Sequence, residues 1–300
     1  MLGVGEYEIL VYLAFASLTY MTPVLLASLG EIISERSGVV NIGVEGILLA
    51  SAFTATVTSI TLGNPLAGLL VGAIVGFLIG LLHGILSVYL RADQIIAGLA
   101  FNMIAYGLTV MGLIGLWGHH GASPRIKVSV DEISILGFHV NPISLASIVL
   151  ALLAWYILRS TRVGLALRAC GEDPRAAEAM GVNVNVYRVT ATSIGGLLAG
   201  IGGAFLALEI VGQFTRGISA GRGFIALANV AFSGWNPLLA VPGAYIFGFL
   251  EAMSIYLQQG ALGYEYVART LPYLGTLLVV TIFAWRAIAP RSLAKPYVKE

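Results

Sequence analysis

The chain has 300 residues, 58% of them hydrophobic and only 10% charged, with a formal net charge of +1 and a mean hydropathy of +0.91. This leaves too little polar surface to coat a soluble globule of that length, so composition assigns the chain to a bilayer. Sixteen basic residues scattered without a polybasic run argue against nucleic acid as a partner, and the single Cys170 rules out an intrachain disulfide.

No Asp, Glu, Lys or Arg occurs between Glu45 and Arg91, Asp93 and Arg125, Glu132 and Arg159, Arg188 and Glu209, or Arg222 and Glu251. Each gap holds one or two spanning helices of about 20 residues. The N-terminus carries Glu6 and Glu8 and no nearby Lys or Arg, and no small-residue cleavage site follows its apolar run. The first helix, Tyr7 to Leu29 with a possible kink at Pro23, is therefore expected to be retained rather than cleaved as a signal peptide. It runs into residues 30–46, where three acids, Arg36, Asn41 and four glycines crowd between apolar runs. Such a joint is costly in hydrocarbon unless it lines a cavity or faces protein, so it predicts a broken helix or a pathway, with Arg36 pairing to Glu31, Glu35 or Glu45.

Gly63-Asn64-Pro65 divides the next run into helices near 46–62 and 65–90. In the second, Gly72, Gly76, Gly80 and Gly84 recur every four residues, a smooth stripe for close helix packing, and His83 reads as a packed side chain. A polar turn, Arg91-Ala92-Asp93, precedes a helix near 95–116 containing Phe101-Asn102; an Asn within a membrane helix needs a partner. Residues 117–141 lack helical periodicity and read as an external loop with a short strand. The adjacent His119 and His120 do not match common zinc spacings. A helix near 142–159 leads to a stretch with five arginines between Arg159 and Arg188. A glycine-rich helix near 190–212 follows. Residues 212–237 hold an apolar step too short to span, ended by Gly234-Trp235-Asn236-Pro237, and read as a half-helix or re-entrant segment. Helices near 238–259 and 270–285, joined by an outer loop with Glu265 and Arg269, complete the expected fold: an all-α polytopic membrane protein of about 8–10 helices, some broken or re-entrant, in one transmembrane domain over 1–300.

The positive-inside rule places the loop at about 160–189 and the tail 286–300, with Arg286, Arg291, Lys295 and Lys299, in the cytoplasm. Counting back puts the N-terminus outside. The interruptions at 30–46 and 212–237 share a glycine-rich, Arg-bearing entry followed by an Asn, and paired broken helices point to a substrate path near the membrane midplane. Asn41, Phe101, Asn102, Phe224 and Asn229 are the candidate path residues. Ala177 and its neighbours form a different motif. Asp173 is placed to cap a short helix with Pro174 at its first position, followed by Arg175, Ala176 and Ala177 and ended by Gly181, with both alanines expected on the surface.

The runs Glu35 to Gly46, Gly171 to Val182 and Gly221 to Pro237 together resemble permease subunits of ATP-binding-cassette importers of the branched-chain amino acid, ribose and nucleoside permease family, most closely its nucleoside-importing subgroup. The resemblance covers about 7–285. It implies a type II importer-like fold in a prokaryotic plasma membrane, with Asp173 to Gly181 as the coupling helix that docks on an ATPase. It also implies a second permease subunit, identical or homologous, an external substrate-binding protein, and a nucleoside or sugar-like solute as cargo. Ribose-importing relatives carry an additional helix before the first one here. No Gly-x-x-x-x-Gly-Lys-Ser/Thr phosphate loop occurs, so the chain is expected to be non-catalytic, with ATP and Mg bound by the partner. The competing reading is an ion-coupled carrier or channel using the membrane acids Glu45, Glu209 and Glu251.

Overall fold

The computed structural model describes residues 6–135, 138–260, 270–272, 274–275 and 288–298. The loop expected to bear Glu265 and Arg269, and most of the helix expected near 270–285, fall outside the described residues.

Short polar residues start the helices. Asn64 accepts from the N–H groups of Leu66 and Ala67 to open α3 (Pro65–Val88), and Asp93 does the same for α4 (Gln94–Trp117) at Ile95 and Ile96. Asn141 opens α5 (Pro142–Ser160), Thr161 opens α6 (Arg162–Glu172), Asp173 opens α7 (Pro174–Ala179) and Asn183 opens α8 (Val184–Phe205). Each cap satisfies backbone donors that no helical carbonyl reaches. The remaining helices are α1 (Glu6–Arg36), α2 (Val44–Leu62), α9 (Arg222–Phe232) and α10 (Pro237–Gly260). Helix α8 continues into a π-helical segment, Leu206–Val211, which the sequence did not announce. Between α4 and α5, strands β1 (Ile133–Ile135) and β2 (Phe138–Val140) pair antiparallel with Ile133 opposite Val140.

Seven helical stretches among the described residues are long and apolar enough to cross a membrane, and α9 is apolar but half as long. The chain is thus a polytopic, essentially all-α membrane protein. Helix α8 is its axis, packed against α1, α2 and α3. The glycine stripe makes the α3 contact possible: a Cβ on Gly76 would lie 2.3 Å from the Gly196 carbonyl oxygen. Helix α1 approaches α8 equally closely, where a Cβ on Gly30 would lie 2.4 Å from the Gly195 oxygen. Backbones this close allow dispersion contacts and shed no polar group into lipid.

The first span departs from expectation. Helix α1 does not stop at Leu29 but runs through Glu31 and Glu35 to Arg36, because tertiary partners accept those polar groups. Arg36 pairs with none of the three acids expected for it; it donates from Nε to the Trp235 carbonyl at 3.1 Å and from Nη2 to the Gly234 carbonyl at 3.2 Å. Glu35 accepts from Trp235 Nε1 at 2.5 Å, and Glu31 from the Asn41 N–H at 3.3 Å.

The basic clusters gather at one end of the bundle. There Arg188, 1% exposed, donates to the carbonyls of Ser37, Cys170 and Lys295, tying together the turn after α1, the end of α6 and the C-terminal tail. The tail is fixed further by the Ser292 N–H on the Gly171 carbonyl and the Ala294 N–H on that of Gly38.

Candidate functional site

The two polar interruptions meet. The turn 37–43 between α1 and α2 enters the bundle without regular structure, yet side chains from four helices satisfy its backbone. Gln94 Oε1 accepts from the Val40 N–H at 2.8 Å, His83 Nε2 lies 2.9 Å from the Val40 oxygen, and Ser34 Oγ donates to the Val39 carbonyl at 2.9 Å. Asn102 closes both sides of the break, accepting from the Gly46 N–H at 2.7 Å and donating to the Ile42 carbonyl at 2.9 Å. Asn41 turns inward on its own loop, accepting from the Gly43 N–H at 3.0 Å, and its Nδ2 is buried without a partner. Phe101 packs edge-on against His83, ring centroids 5.9 Å apart. Irregular backbone at membrane depth persists only when enclosed in this way.

The second interruption supplies α9. Its N-terminal N–H groups lie among packed helices and need an acceptor, and Glu45 in the first turn of α2 provides two: Oε1 accepts from Gly221 at 2.8 Å and Oε2 from Gly223 at 2.7 Å. Gly223 is required here, since a Cβ would lie 2.6 Å from Glu45 Cα. The carboxylate also sits at the positive end of the helix dipole. On the other side of the same terminus Arg222 forms an ion pair with Glu251, their side chains 13% and 19% exposed. This pair borders a cavity of about 360 Å³ whose lining is completed by Ser254 and Gln258 and by the apolar Ala220, Ile225, Ile255 and Pro272.

Glu251, Ser254 and Gln258 share one face of α10. Sequence reasoning missed the last two, although polar residues spaced i, i+3 and i+7 on an otherwise apolar helix are a visible signal. Glu251 lies in the body of α10. Among the anticipated path residues, Asn229 is fully buried, donating to Ser28 Oγ at 3.0 Å and the Ala240 carbonyl at 3.1 Å, and so locks α9 to α1 and α10. Phe224 is 47% exposed. Asn41, Phe101 and Asn102 converge at the first interruption, with Phe224 and Asn229 on α9.

The membrane acids have structural partners. Besides Glu45 and Glu251, Glu209 in the π-helical segment accepts from the Val130 N–H at 3.0 Å and from Asn141 Nδ2 at 2.9 Å. No group of three potential metal ligands occurs among the described residues.

Residues 13–283 match the family described as branched-chain amino acid transport system / permease component. The chain belongs to this family. It is 36% identical to the guanosine ABC transporter permease NupQ of Bacillus subtilis, over 97% of this chain and 98% of that protein. It is likewise 36% identical to the nucleoside ABC transporter permease NupC of Lactococcus lactis, over 94% and 95% of the two chains. A putative glucose ABC transporter permease of Haloferax volcanii is 32% identical over 95% and 97%. No solved structure matches the chain. Membership makes this permease a multi-pass component of an ABC transporter and implies an ATPase and a substrate-binding protein as partners.

The permease presents α7 at its basic end. Asp173 accepts from the N–H groups of Arg175 and Ala176, Pro174 occupies the first turn, and Gly181 leaves with a φ of +84°. One expectation fails: Ala177 is 4% exposed, packed with Cys170 and Val184 beneath Tyr297 of the tail, whose hydroxyl also bonds the Glu178 carboxylate. A six-residue helix has one inward face, and Ala177 is on it. The outward face belongs to Arg175, Ala176 and Ala179, extended by Met180 at 85% exposure.

Proposed function

We propose that the permease imports nucleosides into the cytoplasm of a prokaryotic cell. It would do so as a non-catalytic subunit driven by ATP and Mg bound to a partner ATPase. The observation that carries this reading is the N-terminus of half-helix α9, held by Glu45 and opening beside Arg222, Glu251, Ser254 and Gln258 onto a cavity of mixed polar and apolar lining. A broken helix whose terminus faces a midplane cavity is the arrangement transporters use to engage polar solutes. Its carboxylate, amide and hydroxyl groups suit ribose hydroxyls and base edges, and the guanosine and nucleoside permeases among the relatives favour that cargo over a sugar.

In this reading the single domain spans 1–300, with the N-terminus outside and the loop 160–189 and tail 286–300 in the cytoplasm. The helix from Asp173 to Gly181 docks on the ATPase through Arg175, Ala176 and Met180, while Asp173, Pro174, Ala177 and Gly181 shape it. A second permease subunit, identical or homologous, completes the pathway, and an external binding protein delivers the solute. Asn41, Asn102 and Asn229 hold the two interruptions in shape, with Phe101 beside the first and Phe224 on the free flank of α9.

Uptake of labelled guanosine into proteoliposomes holding the whole transporter tests the proposal. Uptake should require ATP and vanish with a hydrolysis-deficient ATPase; uptake driven by a proton gradient alone would overturn it. In the same assay Ala176→Arg should uncouple ATPase from transport in a normally folded permease, whereas Ala177→Arg should prevent folding of the loop.

A further inference from the structure

A second cleft, of about 600 Å³, opens at the basic end between α5 and α10, away from the α9 N-terminus. Three arginines line it, Arg36, Arg159 and Arg168, and no acid does. Glu172, the acid that acts on Arg36, stands outside the lining. Their donors are unequally used. Arg36 spends Nε and Nη2 on backbone carbonyls of the cleft floor. Arg159 lies over Trp155, its guanidinium carbon 5.5 Å from the ring centroid. Arg168 has its Nε buried without any acceptor. A buried guanidinium N–H without an acceptor is costly, and the cleft has no carboxylate to supply one. The Arg159 and Arg168 side chains that line the cleft have no carboxylate beside them there, and an anion presenting several oxygens pairs with such guanidinium groups.

The floor is built rather than accidental. Gly234 and Trp235 take successive positive φ values, +59° and +56°, and Trp235 is a non-glycine residue in that region. The strained turn is held from below by Glu35 on the indole N–H and by Arg36 on both carbonyls, so the pocket shape is pre-formed. The rim is apolar. Leu239, 53% exposed, and Pro242 line it on α10, and Leu158 and Trp155 line it on α5. Cations at the end of α5, a tryptophan beside them and the apolar Leu239 and Pro242 on the facing helix match an amphiphile with an anionic head.

We propose that this cleft binds an anionic phospholipid, its phosphate held between Arg159 and Arg168 and an acyl chain laid along Leu239 and Pro242. The phosphate chemistry is shared with soluble phosphates; the apolar wall favours the lipid. The assignment does not depend on which solute is carried. A lipid here would brace the Gly234–Trp235 turn, and through Arg36 and Glu35 the end of α1.

The test is native mass spectrometry of the detergent-purified full-length permease, titrated with phosphatidylglycerol or phosphatidylcholine of the same acyl chains. The wild type should retain phosphatidylglycerol about tenfold more tightly, two arginines contributing. Arg159→Gln with Arg168→Gln should bring the two lipids to near parity, while Arg162→Gln, an equal charge loss outside the cleft, should keep the preference. If the double variant does not purify, Arg159→Gln alone carries the test, with about threefold loss expected. Equal retention of both lipids by the wild type, or an unaltered preference in the variants, overturns the proposal. Displacement of phosphatidylglycerol by millimolar inorganic phosphate also overturns it, identifying a soluble anion as the occupant.

Discussion

The interruptions at 37–43 and 212–236 contain the same ingredients, glycines with an Arg and an Asn nearby, but their polar groups face different surroundings. In the first, Gln94, His83, Ser34, Asn102 and Glu31 hold the backbone from outside the loop, with Arg188 bonding Ser37 at its edge. In the second, Glu45 and Asn229 hold α9 on its protein side, while Arg222 and the adjoining face of α10 border a cavity. Irregular backbone in a membrane can therefore be closed in by side chains, as at 37–43, or border a cavity, as at the α9 terminus. The glycines and asparagines visible in the sequence do not distinguish the two; the neighbours do.

The largest effect is expected at the residue joining the two regions. Glu45→Ala leaves the Gly221 and Gly223 N–H groups without acceptors among packed helices, about 1–3 kcal/mol for each. Folded, monodisperse permease should be lost on size-exclusion chromatography, and normal yield with normal melting would break the link between the interruptions. Asn102→Ala should cost about 1–3 kcal/mol by unsealing Gly46 and Ile42. It should appear as a lower melting temperature with transport per folded molecule retained. A selective loss of uptake at unchanged melting would move Asn102 from strut to path. The smallest effect is expected at Cys170, which is buried beside the sealed turn and whose carbonyl accepts from Arg188. Burial pushes its thiol up to about 11, so at pH 7.5 it is the unreactive neutral thiol. Maleimide should fail to label the folded protein at that pH and succeed only after denaturation; ready labelling of the folded protein at pH 7.5 would mean that the strut opens.

Much of this was legible beforehand. Asp173 announced the helix it caps, the turns at 63–65 and 91–93 announced the helices that follow them, the four-residue glycine period announced a close-packed face on α3, and the short apolar step before Gly234 announced a half-helix. What escaped depended on contacts between distant residues. Glu31, Glu35 and Arg36 looked like a break because their partners, Asn41 and the turn 234–235, lie elsewhere in the chain or beyond a further turn. Ala177 looked exposed because the tail that covers it is more than a hundred residues away. Asn41, Asn102 and Asn229 drew attention as polar residues in apolar helices, but polarity alone cannot separate a side chain that closes a broken backbone from one that meets a solute. Ser254 and Gln258 were hidden for the opposite reason, each being unremarkable until Glu251 was placed on the same face and that face on a cavity.

The central claim is that the α9 terminus and its cavity form the solute path. It is tested most directly by Gln258→Leu combined with Ser254→Ala in ATP-driven guanosine uptake, with melting measured on the same preparations. These substitutions remove polar lining but leave Glu45, Arg222 and Glu251 in place. The account predicts that uptake per folded molecule falls at least about tenfold, the loss of one or two good hydrogen bonds to the solute, while melting falls by no more than the loss of the Gln258 Nε2 bond to Ser254 Oγ and of the two side chains' other contacts explains. Wild-type uptake from a permease that melts normally would contradict it.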